Sequence, residues 1–211
     1  MLVPYLGSNL IKVYAYTASS GQITPDATVN MPQANTGPRH LALHSNGTWL
    51  YSINEAAGGA ASEAGSIDFF TFNQNNGDLL AQKTFAVPLP TGYTGVKNGA
   101  EIEIAPSGKF LYVSMRLDGA TQGSLVVFSI DADGELTFVE QQSSRGLTPR
   151  QFSLSPDGKQ LIVGNQMSAT VELFSVDTVS GKLTFVAEQA VCTSPRFARF
   201  AEIRQGGISP I

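Results

Sequence analysis

The sequence predicts an all-β protein built as about four blades of a β-propeller, and three observations carry that reading. A four-strand unit recurs along the 211 residues. The turns between its strands share one chemistry, rich in Gly, Pro, Asn and Asp. No window sustains the apolar period of an amphipathic helix.

Each unit holds two hairpins. The outer one runs from Asn9 to Ile23, Ser66 to Leu79, Ser124 to Leu136 and Thr170 to Leu183. Its turn glycines, Gly21, Gly77, Gly134 and Gly181, recur at intervals of about fifty residues, the period of propeller blades. Gly fits because such hairpin turns need a residue at positive φ. The inner hairpin spans His40 to Asn54, Glu101 to Ser114 and Gln151 to Asn165. Pro-Ser-Gly and Pro-Asp-Gly at its turns combine a preset φ with a left-handed glycine, so Gly47, Gly108 and Gly158 are expected in tight turns between first and second strands. A β-sandwich also has many short strands, but it does not repeat a four-strand unit with the same turns.

Taken in order, Leu2 to Leu6 reads as a second strand with no first strand before it. Three whole blades start near Pro38, Gly99 and Pro149, and Ser194 to Ala201 reads as a lone first strand that could complete the opening blade. Residues 1–203 are the propeller and residues 204–211 a flexible tail. An incomplete ring with open blade edges is expected, and such edges favour self-association. A compact four-bladed closure is the alternative.

Composition removes several function classes. Hydrophobic residues make up 42% and charged residues 14%, which does not suit a disordered chain. The net charge of -4 lacks the basic footprint of a nucleic-acid binder. One cysteine and two histidines leave no intrachain disulfide, and neither a zinc site nor any other metal or cofactor is expected. No run reaches the ~20 apolar residues of a membrane span. Met1 to Tyr5 lacks the pattern of a signal peptide, so a cytoplasmic location without membrane association is expected.

First strands line a propeller's channel, so equivalent positions in successive blades form an arc at one end of it. Aligning the turn glycines makes that arc Arg39-His40, Ala100-Glu101, Arg150-Gln151 and Arg196-Phe197. A charge-poor chain concentrates its charge there, and converging polar groups in a concave place are a site hypothesis.

The blade starts resemble those of the β-propeller lactonases. The resemblance lies in Gly37-Pro38-Arg39-His40-Leu41 with Tyr51 to Glu55, in Gly99-Ala100-Glu101-Ile102 with Ser107 to Ser114, and in Thr148 to Phe152 with Ser155 to Lys159. It covers nearly the whole chain and implies the C-terminal four blades of a seven-bladed ring. The family includes propeller-type 6-phosphogluconolactonases and a fungal 3-carboxy-cis,cis-muconate cyclase. The resemblance puts His40 and Glu101 at site positions, Arg150 at an anion-binding arginine, and Arg116 at a position that adds positive charge, with Met115 where the family carries Asn.

Lactone hydrolysis needs a base to activate water and donors for the oxyanion. His40 or Glu101 can be that base, with Arg150 as the third catalytic candidate. Arg39, Arg116 and Arg196 are candidates for holding an anionic substrate, since guanidinium binds phosphate and carboxylate alike. The leading expectation is hydrolysis of 6-phosphogluconolactone to 6-phosphogluconate. A cyclising isomerase of the muconate type and a non-catalytic binding propeller are the alternatives. His44 is expected as a hydrogen-bonded structural histidine, and Glu103 at a blade interface or the channel wall. Asp131 to Glu135 is expected as a plain hairpin turn, Asn46-Gly47-Thr48 as a turn rather than a glycosylation site, and Cys192 as an unreactive thiol. Trp49, Phe69, Phe70, Phe128 and Phe174 are expected to pack between blades.

Overall fold

The computed structural model describes residues 1–55, 65–117, 122–191, 193–204 and 207–210. Every regular element among them is a β-strand. Strands β1 (Leu2–Tyr5), β2 (Leu10–Thr17) and β3 (Gln22–Asn30) form a three-stranded sheet. Three four-stranded sheets follow. They are β4 (Pro38–Leu43) to β5 (Trp49–Asn54), β6 (Ser66–Phe72) and β7 (Leu79–Ala86), then β8 (Lys97–Ile104) to β9 (Phe110–Leu117), β10 (Ser124–Ile130) and β11 (Leu136–Ser143), then β12 (Pro149–Leu154) to β13 (Gln160–Asn165), β14 (Thr170–Val176) and β15 (Leu183–Ala190). Each is an antiparallel meander in chain order. A separate hairpin joins β16 (Ala201–Arg204) to β17 (Gly207–Pro210).

The near-continuous apolar runs of the inner strands follow from sheets covered on both faces. Successive side chains of a strand point to opposite faces. On β9, Leu111, Val113 and Met115 therefore join the core shared with Ile53, Ile67 and Phe69, while Phe110 and Tyr112 join the core shared with Phe152, Leu161 and Phe174. Leu50 and Phe70 turn the other way, into the core with Ile11. Trp49, Phe69, Phe70, Phe128 and Phe174 thus pack in these cores as expected.

Gly47, Gly108 and Gly158 sit at φ 73°, 73° and 68° in the first-to-second-strand turns. The outer turns of the last two blades are each pinned by a tyrosine of the blade before. Tyr51 donates its hydroxyl hydrogen to Gly134 O at 2.7 Å, and Tyr112 donates to Gly181 O at 2.9 Å. Burial pushes both phenols up in pKa, so they stay neutral donors. These glycines need positive φ and also lie too close to aromatic rings for a side chain. A Cβ on Gly134 would stand 2.6 Å from Phe69 Cζ, and one on Gly181 2.4 Å from Phe110 Cδ1.

The end of the chain departs from expectation. Of residues 194–201, read as a first strand, 194–200 carry no strand ladder and Ala201 opens β16 instead. No second strand pairs with this stretch among the described residues, so its backbone lacks the partner that holds every other first strand. It is fastened instead by Ala198 N–H donating to Gln151 Oε1 at 2.6 Å. It does not complete the opening sheet, in which β1 pairs with β2 alone. The stretch read as a tail from residue 204 contains the second arm of the β16–β17 hairpin. Cys192 lies outside the described residues.

Candidate functional site

The first strand of each complete blade has an irregular register at its start. Pro38 pairs with Asn54 and His40 with Ile53, leaving Arg39 as an extra residue. Gly99 pairs with Met115 and Ile102 with Val113, so Ala100 and Glu101 oppose Ser114 alone. Pro149 pairs with Asn165 and Gln151 with Gly164, leaving Arg150 extra. A bulge bends the strand and re-aims side chains that a regular ladder would fix. The arc is therefore a set of equivalent bulges.

His40 Nδ1 lies 2.6 Å from Glu101 Oε1 across the gap between two blades. Glu101 is nearly buried, at 9% exposure, and is held twice more. Its own N–H donates to Ser114 Oγ at 3.0 Å, and the Ile102 N–H donates to its Oε1 at 3.1 Å. A carboxylate so placed accepts a hydrogen from Nδ1, which leaves the Nε2 lone pair of a neutral His40 as its basic position. The His40 side chain is 40% exposed, so water and a small ligand can reach it.

Arg39 Nη1 stands 3.2 Å from His40 Nδ1 and 3.1 Å from Nε2. Near-equal distances to both nitrogens put it over the ring face, since their in-plane directions diverge. The same Nη1 donates to Ala100 O at 2.5 Å. Arg39 Nε meets Glu55 Oε2 at 2.9 Å, and Arg116 Nη2 meets Glu55 Oε1 at 2.7 Å. One carboxylate thus joins guanidiniums from two blades. Burial holds the Arg39 guanidinium below its ordinary pKa, the Arg116 charge adds to this, Glu55 opposes it, and Arg150 lowers it further. Three guanidiniums, Arg39, Arg116 and Arg150, face the two carboxylates Glu55 and Glu101, so positive charge is in excess in this group, a condition that an anion relieves. Arg150 is half-buried and makes no ion pair among the described residues.

Of the residues singled out from sequence, Arg39, His40, Glu101 and Arg116 come together, and Arg150 lies within electrostatic reach. Arg196 is exposed on the 194–200 segment, and no hydrogen bond or ion pair links it to the cluster among the described residues. At the third arc position Gln151 serves the backbone: its Nε2 donates to Phe152 O at 2.5 Å, and its Oε1 holds Ala198. Glu55 and Ser114 were not foreseen. The hairpin register held a signal for Glu55, because counting forward from the Gly47 turn along the second strand sets it opposite Gly37, beside the blade start.

His44 is structural as expected. It accepts from Asn46 N–H at Nδ1, 3.1 Å, and donates from Nε2 to Gly108 O at 3.0 Å. Asp131 Oδ1 accepts the N–H groups of Asp133 and Glu135, as a hairpin turn requires. A cavity of about 490 Å³ lies further along the same first strands, lined in part by Leu41, Ile102, Glu103, Leu154 and Arg199. Glu103 lines it and also bridges blades, its Oε2 accepting Leu154 N–H at 2.8 Å. Burial raises the Glu103 pKa to about 7, and the Glu101 charge adds to the rise. Among the described residues no cluster of His, Cys, Asp or Glu has the form of a metal site. Among the described residues no helix is long and apolar enough to cross a membrane.

The family model described as "Lactonase, 7-bladed beta-propeller" matches residues 1–200. The chain belongs to this family. A 6-phosphogluconolactonase of Serratia proteamaculans is 31% identical over 196 residues, which is 92% of this chain and 55% of that protein. One of Yersinia pestis is 30% identical over 197 residues, again 92% and 55%. Among solved structures, the periplasmic gluconolactonase of Pseudomonas aeruginosa superposes with a TM-score of 0.80 at 30% identity, covering 94% of this chain and 52% of that one. This lactonase-family chain thus spans about half the length of the relatives it matches.

Proposed function

We propose that the chain carries the lactone-hydrolysing site of a 6-phosphogluconolactonase-like enzyme, converting 6-phosphogluconolactone to 6-phosphogluconate. The observation that carries this reading is the His40–Glu101 pair beside three crowded guanidiniums. His40 Nε2 takes a proton from water, and the resulting hydroxide attacks the lactone carbonyl carbon. Glu101, on Nδ1, stabilises the imidazolium that forms, the part a carboxylate plays in any carboxylate–histidine pair. The positive charge of Arg39 and Arg116 favours the oxyanion of the tetrahedral intermediate. The ring C–O bond then breaks, and the imidazolium returns its proton to the departing alkoxide. Arg150, without an ion partner among the described residues, takes the phosphate through its planar donor fork. The names of the relatives support this substrate class, and we keep the cytoplasm as the compartment in which such a sugar phosphate is met.

The test is a direct assay at a pH where spontaneous lactone hydrolysis is slow, comparing the parent chain with Glu101→Gln and Arg150→Ala. Loss of one general-base partner is expected to slow turnover by about 10²–10⁴-fold. Unchanged rates in both variants would overturn the assignment of the site.

A further inference from the structure

We infer that Glu55 is the positioning residue of this site: it sets Arg39 against the face of His40 and caps the positive charge that an anionic ligand meets. The inference rests on reading His40 and the arginines as a lactone site, and it adds the residue that organises them. Glu55 follows β5 directly, and its own N–H donates to Gly37 O at 2.8 Å. Its backbone is therefore tied to the chain just before β4, next to the bulge that carries Arg39.

From that anchor the carboxylate spends both oxygens on arginines. Oε2 holds Arg39 at Nε, which fixes the direction of the guanidinium plane and points Nη1 over the imidazole. Oε1 holds Arg116, which also donates from Nη2 to Gly99 O at 3.3 Å. Both arginine side chains are only 11% exposed. Buried charges of one sign at this spacing need a counter-charge, and truncating one partner of such a pair leaves the other uncompensated. With Glu55 in place, Arg150 is left as the cation of the group without an ion partner among the described residues. Without it, Arg39 and Arg116 are released to bind anions themselves, and Arg39 is no longer constrained to lie on His40.

The two effects separate a positioning role from a merely structural one. The chain has only two histidines. Long-range 1H–15N NMR spectra of the imidazoles therefore read His40 directly, with His44 as the internal control. His40 is expected as the Nδ1–H tautomer and His44 as the Nε2–H tautomer. In Glu55→Gln, the His40 signals are expected to move while those of His44 stay. The dissociation constant for inorganic phosphate is expected to fall about 3–30-fold, because one negative charge is removed from a partly buried cluster. Glu55→Asp keeps the charge but is a methylene shorter. It should leave phosphate affinity within about twofold of the parent while still moving His40. An unmoved His40 with phosphate affinity unchanged or weaker in Glu55→Gln overturns the inference. If Glu55→Gln does not fold, an unmoved His40 in Glu55→Asp overturns it alone. Absence of phosphate binding in every form, with His40 shifted, would refute the anion site and the charge-capping half of the inference while supporting the positioning of Arg39.

Discussion

His40 and Glu101 stand 61 positions apart in the chain and on different blades, yet their side chains meet at 2.6 Å. Two bulged strands accomplish this. Each blade start inserts one residue into its ladder, and the repeat puts the insertions at equivalent heights. The pairing is a property of the interface between blades and not of either blade alone. Whatever alters the packing of Ile53 and Ile67 on Val113 and Met115 should therefore alter the pair.

Arg150 is expected to act through its fork as well as its charge. Arg150→Ala should raise KM for the phosphorylated lactone by about 10–100-fold, as loss of a charge-assisted bidentate contact does. Arg150→Lys keeps the charge and loses the planar geometry, so KM should fall between the parent and Arg150→Ala. Steady-state kinetics on the three forms checks this. A lysine variant no better than alanine would mean that charge contributes nothing at this position.

Glu103 links stability to pH. Its pKa is raised on folding from 4.5 to about 7, chiefly by burial. A raised carboxyl binds its proton more tightly in the folded state, so its contribution is fully present below pH ~4.5 and is lost as pH rises through about 7. Partial solvent access brings the linked change to about 1–2 kcal/mol. Glu103→Gln keeps an acceptor for Leu154 N–H and removes the titration. Urea denaturation should find the variant more stable relative to the parent at pH 8 than at pH 5. Equal differences at both pH values would contradict the shift.

Much of this was legible beforehand, and the reason is local chemistry. Gly47, Gly108 and Gly158 announce their turns because positive φ is a property of the residue and its two neighbours. The arc of His40 and Glu101 was legible because a repeat places equivalent residues at equivalent heights. Glu55 was not, since its worth depends on Arg116 arriving from the next blade. The 194–200 segment carries a first-strand sequence, Pro195-Arg196-Phe197, yet forms no strand, because a strand needs a neighbour and sequence pattern supplies only propensity. The same lack of a paired neighbour leaves Arg196 away from the cluster.

The tyrosine pins are expected to govern stability. Tyr51→Phe removes the donor to a buried carbonyl, Gly134 O, and should cost about 1–3 kcal/mol. Gly134→Ala should cost about 2–4 kcal/mol, since it adds left-handed strain to a clash with Phe69. Chemical denaturation measures both. A neutral Gly134→Ala would mean that the blade interface relaxes freely.

The central claim is that His40 and Glu101 move the proton as one unit, and a double-mutant cycle on lactone hydrolysis tests it most directly. The four forms are the parent, His40→Gln, Glu101→Gln and the double variant, assayed where spontaneous hydrolysis is slow. Groups that act as a unit are non-additive. Each single variant should lose about 10²–10⁴-fold in kcat, and the double variant should be no slower than the more damaged single one. A double variant whose loss is the product of the two single losses, or four forms that hydrolyse the lactone at the spontaneous rate, would contradict the account.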